Sequence, residues 1–227
     1  MVKNSTMTRL QEELDHLRES LSDMAILVTQ QLQKSIHSLL DEDDDLANEV
    51  VYNEKRVNAY ELRIDQDCEQ IFTLLNPMAQ DMRFVISTLK INTDMERIGD
   101  YAEGIAKLVL LGNKSFNKNL IEDIGLTRMA DGVVEMMELV IKAYREDDTK
   151  IARSVFSKDN VLDAINQQAS VIGERYIRQE TDQIQQTLLM ISIIRKLERV
   201  GDHITNIAEE VIFSKEATVL KHLNKKE

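Results

Sequence analysis

Tryptophan is absent from this chain of 227 residues, aromatic residues make up only 4%, and there are one proline, one cysteine and seven glycines. Each scarcity excludes something. A single cysteine, Cys68, rules out an internal disulfide and a cysteine-built zinc site, and suits a reducing compartment. So little proline and glycine favours long helices over folds rich in tight turns. Basic residues are outnumbered, 28 Lys and Arg against 40 Asp and Glu, for a net charge of −12. That balance argues against a nucleic-acid binder, which needs a basic face, and favours cations or basic protein surfaces as partners. Long apolar runs are missing too. The run Leu188 to Ile194 breaks at Ser192 and is far too short to span a bilayer. No apolar stretch follows a basic start, so no signal peptide and a cytoplasmic location are expected. There is no G-x-x-x-x-G-K-[ST], no G-x-S-x-G and no Gly-rich loop, which leaves no visible nucleotide or acyl-transfer site.

What is present is helical periodicity. Apolar residues make up 43% of the chain and recur at 3.6-residue spacing over most of it. A first helix is expected over about 8–40, with Leu10, Leu14, Leu17, Leu21, Met24, Leu27, Val28 and Leu32 inward. The acidic run DEDDD (41–45) reads as a turn that suits the positive N-terminus of the next helix. The second helix runs to about Leu75 and stops at Pro77; the third covers about 80–111, and GNKSFNKN (112–119) reads as a linker. The cycle then repeats, with helices over about 121–144, 150–178 and 182–213 around the turn REDDT (145–149), followed by a polar tail. The two halves align residue by residue. MERIGDYAEGIAK (95–107) returns 102 positions later as LERVGDHITNIAE (197–209), and on the second helix a shift of 105 matches Val50 to Val155, Glu54 to Asp159 and Asn58 to Asp163. The expected fold is all-α: two tandem three-helix bundles, residues 1–112 and 118–215, related by an internal pseudo-twofold duplication, with a tail at 216–227.

The repeated phrase costs stability twice. A mid-helix glycine costs about 1 kcal/mol relative to alanine, and acids four residues apart repel on one face. On the second helix Glu54, Asn58, Glu61 and Asp65 form one stripe beside the apolar stripe of Val50, Val57, Ile64, Cys68, Ile71 and Leu75. On the third, Thr93, Glu96, Asp100 and Glu103 face away from Ile91, Met95, Ile98, Ala102 and Ile105. Two readings stand: facing carboxylates that hold hard cations between the second and third helices of each half, or a solvated acidic face with glycines at helix crossings. Arg97 and Arg199 project about 100° around the helix, so neither is expected to neutralise its own acid pair. His203 joins a metal site or is hydrogen-bonded, and the Glu-x-x-His of ELDH (13–16) has no second copy, as a di-iron bundle requires. Cys68 and the ten methionines read as core filler.

VNAYELRIDQDC (57–68), NPMAQDMR (76–83), MERIGDYAEGIA (95–106) and LERVGDHITNIAEEV (197–211) resemble the PhoU family of phosphate-transport regulatory proteins over nearly the whole chain. The resemblance implies two three-helix bundles and metal ions on E/D-x-x-x-D clusters. By position these are Glu96 with Asp100, Glu198 with Asp202, Glu54 with Asn58, and Asp159 with Asp163. Glu61 and Asp65 extend the first set, and His203, Asn206 and Glu209 extend the last. Iron is the implied ion, or another hard divalent cation such as Mn, Mg or Ca, with zinc less suited. Because Asn58 replaces an acid and Gly104 and Tyr101 stand where the second half has Asn206 and His203, the second copy reads as the fuller site. The implied function is regulation without catalysis: negative control of phosphate uptake and of the phosphate-starvation response. It implies contact with the transporter's ATPase subunit and a sensor histidine kinase, and a homodimer. A carboxylate-bridged metalloenzyme or metal store and a plain helical scaffold remain as alternatives.

Overall fold

The computed structural model of the chain describes residues 2–112, 116–179 and 181–220. The expected linker therefore falls partly on residues 113–115, and part of the tail on 221–227, outside the described residues. Helices α1 (Val2–Leu40), α2 (Asp44–Leu75) and α3 (Gln80–Leu111) are followed by α4 (Lys118–Ile124), α5 (Leu126–Glu146), α6 (Thr149–Gln179), a 3₁₀ turn (Thr181–Gln183) and α7 (Ile184–Glu216). The all-α expectation holds, with one difference. The fourth helix of the periodic pattern is two helices, because Gly125 takes φ 76°, a left-handed conformation open to glycine, and ends α4 there. The Asn117 side chain starts α4 by accepting from the Asn119 and Leu120 amides.

The acidic turns act as helix starts. Asp43 accepts from the Leu46 amide at 2.9 Å and caps α2, whose first turn also holds Asp44 and Asp45. At the equivalent place in the second half, Asp148 accepts from the Lys150 and Ile151 amides at 2.8 and 3.1 Å. Glu42 and Asp147, a shift of 105 apart, both adopt positive φ (56° and 52°), so the duplicated turn is duplicated in backbone as well.

Helices α1, α2 and α3 pack as one bundle, and α5, α6 and α7 as the other; α3 and α7 lie against each other and join them. Leu14, Leu17, Leu21, Met24, Leu27, Val28 and Leu32 of α1 are buried as their spacing predicts, and Leu10 partly so. The α3–α7 seam runs antiparallel. Lys90 donates to both carboxylate oxygens of the buried Glu210 at 3.0 and 3.1 Å; Asp94 meets His203 Nδ1 at 2.7 Å and Asn206 Nδ2 at 3.3 Å; and Lys196 sits over the Tyr101 ring at 5.6 Å. Shifting by 102 carries Asp94 onto Lys196 and His203 onto Tyr101. The two sides of the pseudo-twofold thus fill one position differently, with a carboxylate–imidazole hydrogen bond on one side and a cation–π contact on the other. A second tie crosses between the bundles at Arg18 of α1. Its guanidinium lies 4.6 Å from the Phe84 ring centre and donates to the Tyr144 carbonyl at 2.8 Å and to Asp147 at 3.1 Å.

The glycines of the repeated phrase have a packing reason. A Cβ on Gly99 would come within 2.9 Å of Val57 Cγ1, and one on Gly201 within 2.8 Å of Leu162 Cδ1. Val57 and Leu162 are themselves repeat equivalents, so the same crossing, α2 over α3 and α6 over α7, is built twice on a missing side chain. Alanine at Gly99 gains about 1 kcal/mol of helix propensity but meets a β-branched side chain that is stiff at χ1, at an overpacking cost of about 1–3 kcal/mol. Urea denaturation of Gly99→Ala should therefore show a net loss of up to about 2 kcal/mol, recovered in part by adding Val57→Ala; a gain in stability would contradict the crossing. Gly201→Ala meets the far end of a leucine and should lose less.

Candidate functional site

The α2–α3 crossing brings the two acidic stripes of the first half face to face. Glu54 on α2 lies beside Glu103 and Asp100 on α3, and Glu61 lies near Glu96 and Asp100. Asn58 donates to Glu54 Oε2 at 2.9 Å, and Asn92 of α3 donates across the crevice to Asp65 Oδ1 and to the Glu61 carbonyl, both at 2.9 Å. Burial is the main force on these carboxyls, and mutual repulsion follows. Burial raises the carboxyls of Glu54, Glu61 and Glu96 above the ordinary range, and nearby negative charge adds to it: Glu103 and Asp100 act on Glu54, Asp65 on Glu61, and Asp100 on Glu96. Three buried oxygens in this crevice, Glu54 Oε1, Asn58 Oδ1 and Asn92 Oδ1, have no hydrogen-bond partner in the protein.

The second half repeats the layout with fewer acids. Asp159 is 5% exposed, with Oδ1 3.1 Å from the point where a Cβ on Gly201 would stand. Glu61, Asp65, Glu103 and Asn92 correspond there to Asn166, Ser170, Thr205 and Ile194. Glu198 and Asp202 occupy the positions of Glu96 and Asp100 on α7. Asp202, His203, Asn206 and Glu209 share an open groove of about 380 Å³ with Tyr101, Arg199 and Thr205, but His203 and Asn206 both turn to Asp94 across the seam.

The expectation for the arginines is corrected. Arg97 places Nη1 3.1 Å from Asp100 Oδ2 and Nε 3.6 Å from Glu96 Oε2; Arg199 does the same to Asp202 and Glu198 at 3.0 and 3.6 Å. The Arg stem is long enough to swing back over its own turn, and a Cα-based angle does not anticipate this reach. His16 turns to α2, with Nε2 3.4 Å from Arg63 and 3.9 Å from Asp67, so ELDH forms no ligand pair. Cys68 is fully buried, and burial, with Asp65 and Asp67 nearby, pushes its thiol up to about 12, so it is inert.

Oxygen-only donors suit a hard cation in chemistry. Among the described residues, no three His, Cys, Asp or Glu side chains group around one point. The acids are strung along the crevices instead of around a point. Two residues of this arrangement lay outside the sequence reading. Asn92 is four residues before Glu96 on the same stripe and was open to detection by spacing. Asp94 lies off the stripe, and its signal was the charge reversal to Lys196 in the aligned halves.

The PhoU domain model matches residues 21–109 and again 126–211. The chain belongs to the PhoU family. Phosphate-specific transport system accessory protein PhoU homolog 1 of Thermotoga maritima is 30% identical over 204 residues, covering 89% of this chain and 87% of that protein. The crystal structure of PhoU from Pseudomonas aeruginosa superposes with a TM-score of 0.83 at 30% identity, covering 92% of this chain and 99% of that one. The phosphate transport system regulatory protein PhoU from Streptococcus pneumoniae superposes at 0.81 and 25% identity, covering 92% and 98%. Each PhoU match takes in one α2–α3 or α6–α7 crossing with its acidic face, so the family unit and the duplicated crossing coincide.

The raised carboxyls fix a sign for the pH dependence. A carboxyl with a folded-state pKa above its unfolded value of 4.5 binds more protons folded than unfolded between the two values. Its ionisation therefore opposes folding: the penalty is absent below about 4.5 and fully present above the raised pKa. Glu61→Gln should raise the urea midpoint at pH 7 and have little effect near pH 4.5; an equal or lower midpoint at pH 7 would contradict the mutual repulsion.

Proposed function

We propose that this chain regulates phosphate homeostasis as an accessory protein of a phosphate transport system, lowering high-affinity uptake and the phosphate-starvation response when phosphate is plentiful. The observation that carries this reading is the match of the family domain to both halves, together with relatives named phosphate-specific transport system accessory protein that align over most of both chains. Among the described residues no helix is long and apolar enough to cross a membrane, and the surface is acidic and built on rigid helices. The net negative charge suits contact with a basic protein surface. The partners in this reading are the ATPase subunit of the phosphate ABC transporter and a sensor histidine kinase, and the working form is a homodimer. No step of it passes through a metal.

Deletion of the gene should raise phosphate uptake and starvation-gene expression in cells grown with ample phosphate, and the transporter ATPase should be recovered with the tagged chain. Unchanged uptake and expression at high phosphate would end the reading.

A further inference from the structure

Charge is missing from one long surface of this acidic protein. Charged residues make up 30% of the chain, yet every exposed residue of α6 from 154 to 171 is uncharged. Ser157, Asn160, Val161, Ala164, Gln168 and Val171 lie within about 50° of one outward direction, at 100° per residue, and form a stripe about 21 Å long. Val171 is 69% exposed on it. The charges that the helix does carry are turned elsewhere. Lys158 reaches Glu135 of α5 at 2.6 Å, and Asp159 is buried beside Gly201 of α7. Ser157 returns its hydroxyl to the Ser154 carbonyl at 2.9 Å. Exposed charge resumes only at the ends of the stripe, with Arg153 before it and Glu174 and Arg175 beyond it. The repeat itself does not demand a neutral face. A shift of 105 carries the stripe onto Tyr52, Lys55, Arg56, Ala59, Arg63 and Gln66, so α2 holds three cations where α6 holds none.

The centre of a protein–protein contact is depleted in charge, because a charge covered there loses its water. A basic partner is drawn to the acidic faces of this molecule and not to a neutral one. A second copy has the opposite requirement. Each copy carries a net charge of −12, and along α6 two of them approach without setting acid against acid. The stripe also complements itself. With the two helices antiparallel and a twofold axis beside Ala164, Asn160 of one copy meets Gln168 of the other, and Ser157 meets Val171. Side-chain amides offer both donor and acceptor, so they pair with each other, and alanine at the axis lets the helices approach closely. At the rim, Arg153 of each copy comes near Glu174 of the other, opposite in charge. We infer that this chain forms a twofold dimer through the outward face of α6, the same stripe of each copy packed against the other. The inference rests on the homodimer of the reading above and names the face that makes it, leaving α2 of the first half outside the contact.

Sedimentation velocity of the full chain from about 1 to about 100 µM, at about 0.15 M ionic strength, reads the association. Ala164→Glu places a negative charge at the axis. Val161→Arg with Gln168→Arg places positive charges beside it and copies Arg56 and Arg63, which α2 carries at the equivalent positions. Ala59→Glu puts the same charge as Ala164→Glu on the equivalent exposed position of the first half. Circular dichroism and the melting temperature check each fold. The unsubstituted chain and Ala59→Glu should sediment as dimers, and both α6 variants should weaken the dimer at least about tenfold although they change the net charge in opposite directions. Diffuse electrostatics gives another result: the arginine pair would strengthen association between two acidic bodies, and that outcome would overturn the face. So would a dimer indifferent to both α6 variants, an equal loss in Ala59→Glu, or a monomer across the whole concentration range. A monomer would end the homodimer of the reading above as well, whereas a dimer formed elsewhere would end only the α6 face. The deletion phenotype decides the regulatory role separately.

Discussion

The acidic crevices depend on the contact of a glycine with a branched side chain on the neighbouring helix, made once by Gly99 with Val57 and again by Gly201 with Leu162. Without a Cβ at these positions the second and third helices of each half come close enough for their polar edges to face across a narrow crevice. With one, the helices must separate or Val57 and Leu162 must move within a close-packed core. The acidic faces exist because of this approach. Glu54 and Glu61 feel Asp100 only because α2 and α3 are held together beneath them.

The seam between the halves works by a different rule. There the pseudo-twofold brings equivalent positions together, and the sequence has filled them with complementary pairs: Asp94 with His203 and Asn206 on one side, Lys196 with Tyr101 on the other. Glu210 is buried at the same seam against Lys90 and Ser87. A buried carboxylate is costly unless it is met by charge and hydrogen bonds, so the seam tolerates only the relative placement that supplies them. Arg18, stacked on Phe84 and bonded to Asp147, adds a tie between the first helix and the α5–α6 turn. Two halves that arose as copies are in this way locked into one body whose faces are no longer equivalent.

The two acidic crevices are therefore not equivalent. A symmetric pair of acidic crevices would offer two like sites. The chain keeps the crossing in both halves and the full ladder of acceptors in only one, while the residues that made the second copy look richer, His203 and Asn206, are spent on the seam. The divergence of the two crevices makes the faces of the duplicated body distinguishable.

The periodicity, the duplicated phrase and the acidic turns were enough to determine an all-α fold of two three-helix halves, the buried stripe of α1, and the second and third helices as carriers of facing acids. These are local properties, set by 3.6-residue spacing and helix starts such as Asp43, and they need no knowledge of neighbours. The break at Gly125 was missed because a glycine inside a periodic pattern looks the same whether it takes negative φ, as a helix interior requires, or φ 76°. The sequence could not say which way a long side chain turns: Arg97 and Arg199 fold back onto their own acids, and His203 reaches across to Asp94. Nor could it say whether acids a helical turn apart surround a point or line a groove. That depends on the approach and register of two helices far apart in sequence, which only the packing of Val57 on Gly99 and Leu162 on Gly201 decides.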